Sequence, residues 1–164
     1  MNSRVAPAAV LALVVFLAQS PQKASAQDAK DIEQVEACLT SANESAHGKP
    51  AECIGKLSEA CALELGAGSD ADCMLREANA WVVIAKQRFS AFVAKTKPDI
   101  ADSVRVAQDS WEKFREANCD ATGAFYAQYS GSTSAQWQAL CLRNSAAERA
   151  LLLDEWLANS EDFE

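Results

Sequence analysis

The chain is poor in the residue types on which most catalytic and metal chemistry depends. It has one histidine, His47, and it lacks a CxxC pair, an HExxH helix, an EF-hand loop and a Gly-rich phosphate loop. Zinc ordinarily wants closer ligand pairs or more histidine, so no metal site is expected. His47 stands beside Gly48 in an expected turn and reads as a solvated side chain. Paired carboxylates occur at Glu33 and Glu36, at Asp70 and Asp72, and at Glu161, Asp162 and Glu164. In so acidic a chain these read as solvated faces rather than a glycosidase pair. No catalytic residue and no cofactor site is therefore assigned, and the chain reads as a non-enzyme. No stretch alternates apolar and polar residues with β-branched enrichment, so no sheet is expected. Neither a long repeat nor a linker divides the chain into two domains.

The apolar run Val5 to Ala18, about 14 residues, is shorter than a membrane-spanning helix requires. It follows Arg4 and precedes Ala24-Ser25-Ala26, a small-x-small pattern. Together these predict a signal peptide over residues 1–26, with Gln27 as the first mature residue. No cysteine stands near the cleavage site, which argues against a lipid anchor. The remaining 138 residues, 27–164, make one ordinary domain with no stable membrane insertion. Removing Arg4 and Lys23 takes the formal charge from −8 to −10. Such a chain repels phosphate, which excludes nucleic acid, and it suits a basic protein partner.

What is present is cysteine and helical periodicity. Leu75, Ala78, Val82, Ala85, Phe89, Phe92 and Thr96 recur in steps of three and four, predicting a helix from Asp72 to about Thr96. Ser69 and Asp70 are its expected N-caps. Lys97-Pro98 ends it and opens another, to Ala121 or beyond, with Ile100, Val104, Ala107, Trp111 and Phe114 on its apolar face. The short connection makes the two antiparallel neighbours. A polar turn at residues 129–134 precedes a helix from Ser134 to about Leu157, whose apolar face is Trp137, Leu140, Cys141, Ala147 and Leu151. The tail from Asn159 is expected to fray. Upstream, helices are expected from Asp31 to about Ala46 and from Ala51 to Leu65, separated by Gly48-Lys49-Pro50. Trp111 and Trp137, on apolar stripes, read as core, whereas Trp156 lies near the tail. Arg115 is either in a surface pair with Glu112 or a buried arginine linking two helices.

The cysteines are Cys38, Cys53, Cys61, Cys73, Cys119 and Cys141. An even number in an exported chain favours three disulfides. Turn positions favour Cys119–Cys141 across the Gly131 turn, with Cys38–Cys53 and Cys61–Cys73 across the earlier turns. Cys38–Cys61 with Cys53–Cys73 is the open alternative. The fold expected is all-α: a small, disulfide-stapled antiparallel helical bundle.

The run Gln108-Asp109-Ser110-Trp111-Glu112-Lys113-Phe114-Arg115-Glu116-Ala117-Asn118-Cys119 resembles the AQxxWxxxRxxxC signature of the lysozyme inhibitor LprI N-terminal family. Gly131-Ser132 resembles that family's Gly-Gly-Ser turn. Cys141, Arg149 and Leu152 are similar to its closing segment. Cys53-Ile54-Gly55, Cys61, Cys73, Glu77 and Trp81 look like a subgroup with a Cys-Ile-Gly motif. The resemblance covers roughly residues 35–157 and agrees with the sequential cysteine pairing. It marks Gln108, Trp111, Arg115, Gly131, Ser132 and Arg149 as motif residues with a structural role. Where the family often has Trp-Asp-x-x-Leu-Asn-x-x-Tyr, this chain reads Trp81-Val82-Val83-Ile84-Ala85-Lys86-Gln87-Arg88-Phe89, without the Asp and Asn. The resemblance implies a periplasmic or secreted inhibitor that binds a basic lysozyme-type protein. The alternative is a structural or interaction module of the cell envelope. The loops at His47-Gly48-Lys49 and Ser130-Gly131-Ser132 are the candidate contact loops.

Overall fold

The computed structural model describes residues 26–129 and 131–160, so residues 1–25 of the expected signal peptide, Ser130 and the last four residues lie outside it. Five α-helices follow one another: α1 (Ala26–Glu44), α2 (Lys56–Leu65), α3 (Asp70–Lys95), α4 (Pro98–Ala127) and α5 (Ser134–Ser160). A 3-10 turn, Pro50–Cys53, stands between α1 and α2. The described residues contain no strand, and the fold is the all-α disulfide-stapled bundle expected.

The segment expected as one helix from Ala51 to Leu65 is broken. Ile54 is extended and Gly55 is left-handed at φ 97°, a backbone that residues with a Cβ rarely adopt. The chain turns there so that α2 runs back along α3. A second close approach occurs at Gly48, where a Cβ would collide with the Ala42 carbonyl at the end of α1. Ser69 occupies the N-cap position of α3 without capping it. Its hydroxyl donates backward to the Gly66 carbonyl at 2.6 Å.

The core lies between α1, α3 and α5. Val35 and Leu39 of α1 meet Ala80, Trp81, Ile84 and Ala85 of α3, and Ala146, Ala147, Ala150 and Leu153 of α5. The alanines let α3 and α5 approach closely around the large side chains of Trp81, Ile84 and Leu153. α5 therefore packs far more extensively on α3 than α4 does. The paired residues Asp70 with Gln136 and Arg88 with Asp154 show α3 and α5 running in the same sense. α4, which links them in sequence, runs the opposite way and packs mainly on α5.

The expected apolar faces are rotated from the real ones. On α4, Ile100, Ala107 and Phe114 face solvent, while Ala101, Val104, Gln108, Cys119 and Gly123 are buried. The contact stripe runs Ala101, Val104, Gln108, Trp111, Arg115, Cys119, still in steps of three and four, but partly through polar residues. On α5, Trp137 is 40 % exposed rather than core, and the deep positions are alanines, Arg149 and Leu153. On α3, Leu75 faces outward and Trp81 is fully buried.

Three disulfides join Cys38 to Cys53, Cys61 to Cys73, and Cys119 to Cys141. Each closes across a turn between consecutive elements, and no free cysteine remains. No described helix is long and apolar enough to cross a membrane.

Candidate functional site

Two groups of buried polar side chains organise the bundle, and each gathers residues of one sequence motif. The first is centred on Glu77, fully buried in α3. Its Oε1 accepts hydrogen bonds from the Gly55 backbone N–H at 2.6 Å and the Trp81 indole N–H at 3.0 Å. Its Oε2 accepts from the Ser58 backbone N–H at 2.8 Å. Gly55 is the N-cap of α2 and has no side chain to cap it. Glu77 supplies that cap from another helix, with its charge at the positive end of α2. Ser58 Oγ donates to the Gly55 carbonyl, and Arg143 Nη1 donates to Ser58 Oγ, each at 3.0 Å, tying α5 into the group. The Cys53-Ile54-Gly55 turn, Glu77 and Trp81 are thus one unit, closed at its far side by Cys61–Cys73.

The second group lies between α4 and α5. Arg149 is 7 % exposed, and its Nε donates to Gln108 Oε1 at 2.9 Å. Its guanidinium lies 5.8 Å from the Trp111 ring centre and 5.5 Å from that of Trp156. Arg115 covers Trp111 at 5.1 Å. Such distances are those of cation–π contacts. Arg149 Nη2 and Arg115 Nε are buried and have no hydrogen-bond partner among the described residues. Burial pulls the Arg149 guanidinium below its ordinary pKa. Arg115 is thus partly buried and stacked on Trp111.

Ion pairs fasten α1 to this framework. Arg76 of α3 grips both oxygens of Asp31, at 3.1 and 2.7 Å, and Gln27 adds a bond at 2.8 Å. Burial pushes the Asp31 carboxyl upward, but the bonds from Arg76 and Gln27 and the Arg76 charge outweigh it and hold it below the usual value. Arg88 bridges Glu36 of α1 at 2.6 Å and Asp154 of α5 at 2.5 Å. Burial nevertheless raises Asp154, with Arg88 opposing and Glu36 adding to the rise.

None of these groups sets a nucleophile beside a base. His47 is exposed in the turn after α1, and Glu36 of the expected carboxylate pairs is held by Arg88. Among the described residues no three His, Cys, Asp or Glu side chains gather as metal ligands. Gly131 and Ser132 lie exposed in the α4–α5 turn, while Ser130 is outside the described residues.

The α4–α5 hairpin ends in an aromatic cluster that hydrophobic periodicity does not reveal. Trp137 stacks on Tyr126 with ring centres 4.2 Å apart. Phe125 contacts Tyr126 edge-on at 5.3 Å and Tyr129 at 5.1 Å. The clue is the spacing of Phe125 and Tyr129, four residues apart at the close of a helix.

The family model described as lysozyme inhibitor LprI matches residues 23–153. No curated protein and no solved structure matches the chain.

Proposed function

Because the chain belongs to the lysozyme inhibitor LprI family, we propose that it is an exported protein that inhibits a c-type lysozyme by binding it. The family match over residues 23–153 carries this reading. The composition supports it. Lys and Arg number 15 against 23 Asp and Glu, so the chain attracts a basic enzyme at long range. The architecture supports it too: three disulfides and two buried polar groups hold the helices rigid, so little order is lost on binding. The disulfides also favour an oxidising compartment, periplasmic or extracellular, reached through the signal peptide read in residues 1–26. Residues 27–164 act as one domain.

The test is lysozyme activity on cell walls in the presence of purified, oxidised protein, at low and physiological salt. Dose-dependent inhibition that weakens as salt screens the charges is expected. Full lysozyme activity, with helicity and disulfides verified, would reject inhibition of that enzyme and leave an envelope interaction module.

A further inference from the structure

The α4–α5 tip combines three features. First, its aromatic surface is open. Phe125 is 52 %, Tyr129 73 % and Trp137 40 % exposed, yet the rings are ordered against one another: Trp137 on Tyr126, Tyr126 on Phe125 and Phe125 on Tyr129. Exposed Tyr and Trp that are already immobilised lose little freedom on binding, and such residues dominate interface energetics. Second, the tip has a firm base. Cys119–Cys141 closes the hairpin beneath it, and Gln138 Nε2 donates to Asp120 Oδ1 at 2.8 Å. Third, its charge has one sign. No Lys or Arg occurs between Cys119 and Cys141, whereas Asp120 falls there. Gln136 also contacts Asp70 of α3 at 3.3 Å, bringing a further carboxylate to the same end of the bundle.

Aromatic faces carry negative potential, and Asp120 and Asp70 at this end of the bundle add to it with no cation in the hairpin tip, so the surface suits arginine and lysine side chains. We infer that this tip is the docking surface for a basic protein, whose cationic side chains stack on Tyr129, Phe125 and Trp137. The inference rests on the inhibitor reading and deepens it by locating the contact. The His47-Gly48-Lys49 loop, in contrast, carries a cation and no Phe, Tyr or Trp.

The experiment compares binding of a c-type lysozyme to the immobilised, oxidised protein and its variants at low salt. Tyr129→Ala is expected to weaken binding about 10-fold, and Phe125→Ala combined with Tyr129→Ala about 100-fold. Leu63→Ala, at an exposed site on α2, is expected to bind as the parent does. Circular dichroism of each variant checks the fold. Parent-like binding by the double variant would overturn the tip as docking surface while leaving inhibition intact. If the parent itself does not bind lysozyme, a hexa-arginine peptide titrated into labelled protein separates the two ideas. Shifts of the Trp137 indole N–H with this peptide would support the tip without lysozyme, and their absence would overturn it. Larger shifts with chitotriose would overturn it in favour of a glycan surface. Concentration-dependent shifts without any ligand would overturn it in favour of a second copy of the chain.

Discussion

Glu77 and Arg149 are both buried charges on helices of one bundle, but they are accommodated in different ways. Glu77 receives three hydrogen bonds, two of them from backbone donors at the start of α2 that would otherwise be orphaned. Arg149 receives one acceptor, Gln108, and two indole faces, and its Nη2 is left over. The carboxylate completes the backbone of another helix. The guanidinium mainly fills space between two tryptophans. A buried charge that completes the chain's own hydrogen bonding is costly to remove, while one that is only packed is close to replaceable.

Replacement of Glu77 gives the largest expected effect. Glu77→Ala orphans the Gly55 and Ser58 N–H groups and the Trp81 indole, and is expected to cost about 3–5 kcal/mol in urea unfolding. A loss under about 1 kcal/mol would mean that the α2 cap is unimportant. The disulfides on the two sides come next. Cys61→Ser with Cys73→Ser loosens the Glu77 group, and Cys119→Ser with Cys141→Ser loosens the hairpin, each by about 2–4 kcal/mol. Thiol titration of the denatured, unreduced parent should find none, and reactive thiols would contradict the pairing seen here.

Arg149→Met sharpens the contrast. It orphans Gln108 Oε1 but removes a desolvated charge, so stability is expected to stay within about 1 kcal/mol of the parent. A loss above about 3 kcal/mol would place Arg149 with Glu77 and break the distinction.

The smallest effect concerns pH. The folded-state pKa of Asp31 lies below its ordinary 3.8, so its pair with Arg76 contributes stability above that value and loses it as pH falls through the folded pKa. Asp154 is raised, so its contribution has the opposite sign: present below 3.8 and lost as pH rises through its folded pKa. Asp31→Asn should therefore flatten the acid limb of a thermal-midpoint profile, and Asp154→Asn should steepen it. Identical limbs in both variants would contradict these assignments.

The helices are legible in the sequence because Pro98, the glycines at 48, 66 and 131 and the helix-forming runs punctuate it strongly. The faces are less legible. On α4 the contact stripe passes through Gln108 and Arg115, so a search for apolar residues rotates toward Ile100 and Phe114, which are exposed. On α5 the deep face is mostly alanine, too weakly apolar to outweigh Trp137. The backbone partners of Glu77 are 22 and 19 residues away in sequence, where no local periodicity reports a contact. The motif residues Gln108, Trp111, Arg115 and Arg149 stand out as a set in the sequence, but their stacking belongs to the packed hairpin alone. The aromatic tip is illegible for a different reason: its rings pack on each other rather than on the core.

The most direct test of the account is lysozyme inhibition by the oxidised parent and by Tyr129→Ala, measured side by side at low salt. Inhibition by the parent is expected, with an inhibitory constant about 10-fold weaker for the variant and both folds intact. A folded, oxidised parent that leaves lysozyme fully active would contradict it.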